Sequence, residues 1–240
     1  MMNVYILLAA LAPILILLYY IYRKDKNQPE PVKEMVKAFF YGVVSALLSF
    51  CISIPFEKMG LFVSDFTTIR EAVQTAFFAA AIPEEVAKYT MLWLFLRKCK
   101  FFDQRMDGIV YAVCVSLGFA ALENVFYLIG SYDEWMSVGI SRALTAVPGH
   151  FGFGVLMGYY YSLGKFDSET FASAKYKALI VPILVHGIYD VICFVIGIVP
   201  SVAFILMIIF IVFCHKLWKY GSKRIKEHLE RDKVIDGMDI

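Results

Sequence analysis

Charge is scarce in this chain: 18% of its 240 residues are charged, against 60% hydrophobic. A soluble domain runs at about 25% charged and about 45–50% apolar, so the composition excludes an ordinary water-soluble globule. The formal net charge is only +2, which implies no nucleic-acid partner. Cysteine is sparse too. Cys51, Cys99, Cys114, Cys193 and Cys214 are odd in number, form no CxxC and lie in or beside apolar segments. That excludes a disulfide framework and a thiolate zinc site. HExxH and GxSxG are both missing, and with them the common signatures of metalloproteases and serine hydrolases.

What is abundant comes in blocks long enough to cross a bilayer, which takes about 20 apolar residues. Seven such blocks are legible: 4–22, 35–56, 71–96, 108–130, 140–163, 178–196 and 202–218. The first has no basic region before it and no small-residue cleavage site after it, so it reads as a retained span. Basic residues cluster in the loops after the first, third, fifth and seventh blocks, among them Arg23, Lys24, Arg97, Lys98 and Lys165. The other loops are acidic, mixed or nearly absent. The positive-inside rule then places the N-terminus outside and the C-terminus in the cytoplasm. The expected fold is all-α: one polytopic membrane helix bundle of about seven transmembrane helices over 1–218. A cytoplasmic basic tail, 219–240, would lie near anionic lipid.

Four consecutive blocks carry polar residues well away from their ends. The third holds Glu84, Glu85 and Lys88, the fourth Glu123, Asn124 and Tyr127, the fifth His150, and the sixth His186 and Asp190. One central charge costs roughly 2.5–3.5 kcal/mol on insertion scales, so groups this numerous must be partnered. Their depths agree within about 10 Å at about 1.5 Å rise per residue, nearer the outer side. Glu84/Lys88, Glu123/Tyr127 and His186/Asp190 are i,i+4 pairs, each projecting from one face. Glu84 and Glu85 lie about 100° apart and cannot point the same way. Pro83, Pro148 and Pro182 stand beside these groups. Three proline kinks at one depth would free carbonyls and open a wet cavity.

Carboxylates and imidazoles in a semi-dry cavity can activate water. Glu84 or Glu85 could serve as base, with Lys88 holding one of them ionised, while His150 and His186 share protons or polarise a carbonyl. Glu84, Glu85, His150, His186 and Asp190 could also ligate a metal. The same carboxylates suit a proton relay in a transporter, or an ion cluster in a membrane scaffold. Glu123 and Asn124 suit the site or interhelix bracing equally. Tyr127 and Tyr189 read as packing. Arg142 reads as snorkelling at the outer boundary, His215 and His228 as solvated, and Tyr159, Tyr160 and Tyr161 as an interfacial belt.

Four stretches together resemble the PrsW family of bacterial intramembrane proteases: Glu84-Glu85-Val-Ala-Lys88, Glu123-Asn124-Val-Phe-Tyr127, Pro148-Gly-His150-Phe-Gly-Phe-Gly154 and His186-Gly-Ile-Tyr-Asp190. The resemblance implies a multi-pass peptidase of the cell membrane. Its substrate would be a single-span anti-sigma factor, given its first (site-1) cut near the extracellular face in envelope-stress signalling. That family is similar in turn to the CAAX-prenyl endopeptidases. By position, Glu84 would activate water with His150, and His186 with residue 190 would hold the oxyanion. Lys88, Ala146 and Asp190 depart from that pattern, and an ionised Asp190 cannot donate to an oxyanion. The prenyl-endopeptidase likeness implies no obligatory metal, although Zn2+ is compatible with the donors. The expected catalytic set is Glu84, Glu85, His150 and His186, supported by Lys88, Glu123, Asn124 and Asp190.

Overall fold

The computed structural model describes residues 4–26, 28–167, 171–235 and 237, and among them every regular element is helical. The α-helices are α1 (Val4–Lys24), α2 (Val32–Lys58), α3 (Ile69–Thr75), α4 (Ile82–Leu96), α5 (Arg105–Gly130), α6 (Trp135–Leu144), α7 (Ala146–Phe166), α8 (Phe171–Ile198) and α9 (Ala203–Ile235). Five of them, α1, α2, α5, α8 and α9, are long and apolar enough to cross a membrane.

The packing follows from the pattern of each helix. From Gly108 to Ala121 α5 is apolar on every face apart from Ser116, and Met106 to Ala121 is buried without interruption, which makes it the central post. α1 buries only Ile6, Ala10, Ile14 and Ile21, on one face. Its outward residues Leu15, Ile16 and Tyr19 are exposed, as are Phe40 and Leu47 of α2 and Phe204, Ile205 and Ile211 of α9. A belt of that composition is untenable in water and natural against hydrocarbon. Close approach at the post depends on glycine. A Cβ at Gly158 of α7 would lie 2.3 Å from the Gly108 carbonyl oxygen of α5, and one at Gly118 would lie 2.0 Å from the Phe39 carbonyl oxygen of α2.

Two of the expected spans take a different form. The third is composite. Thr68 opens α3 with a reciprocal cap, its Oγ1 accepting from the Glu71 N–H while the Glu71 carboxylate accepts from the Thr68 N–H. A π-helical turn, Ala76–Ala81, then leads into α4, and Ile82 N–H donates to the Phe77 carbonyl five residues back. Pro83 explains the turn, because it has no N–H for the Ala79 carbonyl four residues before it. The fifth expected span begins late. α6 ends at Leu144, Thr145 leaves helical geometry at φ −125°, ψ −67°, and α7 starts at Ala146. The Pro148 ring would clash with the Leu144 carbonyl in a continuous helix. Pro148 therefore sits in the first turn of α7, where its missing N–H costs nothing, rather than kinking a span.

The charged end of α9 packs on the bundle. Asp232 accepts from the backbone N–H groups of Arg105 and Met106 (3.1 and 2.8 Å), at the start of α5. His228, expected to be solvated, is instead fully buried, stacked on Tyr159 at 4.5 Å between ring centroids. Tyr159 is likewise no belt residue: it is buried and donates to the Glu227 carboxylate at 2.8 Å. The cause in both is that α9 continues as one helix to Ile235, carrying its polar face onto α7.

Candidate active site

Five helices, α4, α5, α6, α7 and α8, deliver the polar groups to one place. Glu84, Glu85 and Lys88 lie in the first two turns of α4, directly after the π turn. Glu85 and Lys88 face inward and are fully buried, while Glu84, about 100° round the helix, reaches the edge of a cavity. That cavity has a volume of about 240 Å³ and is lined by Glu84, Glu123, Arg142, His150, His186 and Asp190, among others. A second cavity of about 300 Å³ shares Glu84 and Glu123 and is walled in part by α2 and α5, with the exposed rings of Phe50 and Phe126 in its lining.

The contacts form one continuous chain. Asp190 Oδ2 is 3.3 Å from His186 Nε2, and His186 Nδ1 is 2.9 Å from Glu85 Oε1. Lys88 Nζ donates to Glu85 at 2.8 Å and Glu84 at 3.2 Å, and lies 3.1 Å from His150 Nδ1. His150 Nε2 is 2.9 Å from Glu123 Oε2. Arg142 donates to that same oxygen at 2.5 Å and to Asn124 Oδ1 at 2.6 Å. Asn124 in turn donates to the Ala10 carbonyl of α1 at 3.1 Å.

The order of donors fixes protonation. An ammonium can only donate, so His150 Nδ1 accepts from Lys88 and Nε2 carries the hydrogen given to Glu123. His186 has carboxylates at both nitrogens and Glu84 a little further off, 4.0 Å from Nε2. Aromatic rings hold the imidazoles and the ammonium in place. Phe153 stacks on His186 at 4.6 Å, and the Phe119 ring lies 4.0 Å under Lys88 Nζ. Ser116 donates to the His150 carbonyl at 2.6 Å, pinning α7 to α5.

Glu84, Glu85, Lys88, Glu123, Asn124, His150, His186 and Asp190 all lie in this chain of contacts. Asp190 is placed to orient His186, and Asn124 to brace α1 against α6. Arg142 was missed. It was read as a boundary residue because 140–163 was taken as one helix; with the break at Thr145, α6 lies across the cavity and turns Arg142 inward. Its one visible signal was a guanidinium just ahead of the His150 motif with no acidic neighbour on its own turn.

The donors suit a metal ion. One nitrogen or oxygen each from Glu84, Glu123 and His150 lie within 4.8 Å of one another, as do those of Glu84, Glu85 and His186. The first set borders the cavity, but an ion there would require His150 Nε2 to give up its hydrogen and Arg142 to release Glu123 Oε2. In the second, Glu85 Oε1 is already engaged by Lys88 and His186. A metal held by Glu84, Glu123 and His150 would supply Lewis-acid chemistry beside the cavity.

A water-activating cluster sunk within a membrane helix bundle defines the class: a membrane hydrolase. Comparison with known proteins sharpens this. Residues 30–215 match the family described as PrsW family intramembrane metalloprotease. The chain is 33% identical over 237 residues to Protease PrsW of Clostridioides difficile (strain 630), covering 98% of this chain and 95% of that protein. It is 36% identical over 224 residues to Protease PrsW of Bacillus subtilis (strain 168), covering 92% and 94%. No solved structure matches. The chain belongs to the PrsW family: it is a peptidase and a multi-pass membrane protein. The transporter and scaffold readings give way to that.

Proposed function

We propose that this peptidase makes the first, site-1 cut in a single-span anti-sigma factor of the bacterial plasma membrane, in regulated proteolysis for envelope-stress signalling. The observation that carries the reading is Glu84. It is the α4 carboxylate that borders both cavities, one lined by the imidazoles and one walled by α2 and α5, where an opening toward lipid would lie. A substrate helix arriving at that opening would unwind a short stretch into the polar cavity. Seven spans, N-terminus outside and tail 219–240 in the cytoplasm, suit this. The run α3–π–α4 is unbroken from Ile69 to Leu96, and α7 is 21 residues long, so both reach the required length.

In the proposed mechanism Glu84 takes a proton from a water in the cavity as its oxygen bonds to the scissile carbonyl carbon. His186, held by Glu85 at Nδ1, turns its Nε2–H from Asp190 to the carbonyl oxygen as charge develops there. Glu84 then returns the proton to the departing amine as the C–N bond breaks. Glu85 and Lys88 set the charge beside Glu84. Neutral His150 and Glu123 hold the opposite wall. The test is incubation of purified wild type and Glu84→Gln with a reconstituted candidate anti-sigma factor, reading fragment mass. A single extracytoplasmic-side cut by wild type and about 10²–10⁴-fold less product from the variant is expected. Cutting by Glu84→Gln at the wild-type rate would remove Glu84 as the base.

A further inference from the structure

A second cluster of carboxylates lies far from the active site. Asp25 opens the turn after α1, Glu30 lies just before α2, and Asp107 is in the first turn of α5. All three are buried, and one oxygen of each lies within 4.8 Å of the other two. Asp107 and Glu123 are sixteen residues apart on α5, so the cluster is about 24 Å from the active site along that helix.

Local capping accounts for part of it. Asp107 Oδ2 accepts from the backbone N–H groups of Asp103 and Gln104 (2.9 and 2.6 Å), and Tyr111 donates to Glu30. It does not account for Asp25, which is 3% exposed and whose Oδ2 has no hydrogen-bond partner. Nor do the nearby cations neutralise the group. Arg105 is engaged by Asp167 at 2.6 Å and Asp232 at 3.8 Å, and Lys165 donates to the Phe102 carbonyl over that residue's ring. Among the described residues no Lys or Arg lies within ion-pair distance of Asp25, Glu30 or Asp107.

Three converging buried carboxylates, one oxygen unpartnered, and no counter-ion are the make-up of a hard-cation site. Calcium takes oxygens at about 2.3–2.6 Å, and three oxygens all within 4.8 Å of one another are close enough to share one such ion. We propose that Asp25, Glu30 and Asp107 bind a hard divalent cation, which ties the α1–α2 connection to the start of α5.

The test uses the full chain in detergent, stripped with EDTA, then titrated with Ca2+ alone and Mn2+ alone by calorimetry and followed by thermal unfolding. Wild type should bind and gain several degrees in Tm. Glu84→Gln should keep both responses, and Asp25→Asn and Glu30→Gln should lose them. Binding that survives in Asp25→Asn but is lost in Glu84→Gln assigns the ion to the active site and overturns the proposal. So does a wild-type Tm indifferent to both ions, which marks a cluster neutralised by shared protons only.

Discussion

Replacing Lys88 by Met tests the central feature of the cluster, one buried ammonium serving three acceptors. Met keeps the length of the side chain and its apolar stem, so the change removes charge and donors without opening a large cavity. Lys88 Nζ lies 2.8 Å from Glu85, 3.2 Å from Glu84 and 3.1 Å from His150. At an effective dielectric near 20, one unit-charge contact at about 3 Å is worth about 5 kcal/mol before desolvation is counted. The net loss on breaking a buried pair is smaller, about 3–5 kcal/mol, and arises because Glu85 is left charged and enclosed. For a chain of this size that corresponds to a fall in Tm of about 6–20 °C, read by circular dichroism in detergent. Activity of the protein that stays folded should fall about 10²–10⁴-fold as well, because His150 loses the donor that sets its tautomer. Adding Glu85→Gln to Lys88→Met should restore at least about 1 kcal/mol relative to the sum of the single changes, since the two groups share one interaction. A Lys88→Met protein that melts within a degree or two of wild type and cuts normally would refute the idea that this ammonium holds the cluster together.

Three further outcomes are expected. Arg142→Ala removes two bonds to charged or polar acceptors, Glu123 and Asn124, and should lower peptidase turnover about ten- to a hundredfold, with Arg142→Lys recovering only part. Gly158→Ala forces a methyl group against the Gly108 carbonyl and should destabilise by about 1–3 kcal/mol or prevent folding, seen as a lower Tm or loss of monodisperse protein. At Asp167, partial burial pushes the carboxyl up, but the Arg105 hydrogen bond and the Arg105 and Arg231 charges outweigh it and hold the group below its ordinary range. A depressed folded-state value contributes stability above the unfolded carboxylate pKa and loses it as pH falls through the folded value. Asp167→Asn should therefore melt below wild type at pH 7, and the gap should close on acidification below about pH 4.

Sequence by itself determined the class of fold and the chemistry of the site. Blocks of about 20 apolar residues admit only helices in lipid, because each backbone group must be satisfied within its own segment. Ionisable groups on four consecutive blocks at one depth need partners, so their cost pointed to one shared interior site for Glu84, Glu85, Lys88, His150, His186 and Asp190, and left Glu123 between that site and interhelix bracing. The i,i+4 spacing of His186 and Asp190 already put them on one face, and they stand 3.3 Å apart. Two things were decided only in three dimensions. The first is where helices break. Pro83 and Pro148 were both read as kinks, but one ends a π turn and the other starts a new helix, since the outcome depends on whether neighbouring chain can donate to the freed carbonyl. The second is which groups touch across helices. His150 could have bonded Glu84, Glu85 or Glu123, and the 3.1 Å contact with Lys88 leaves its other nitrogen to Glu123. Arg142 joined the site only because the break at Thr145 turned α6 across the cavity, and His228 was buried only because α9 runs on as one helix along α7. Helix period reports which residues share a face; it carries no information about which face another helix will meet.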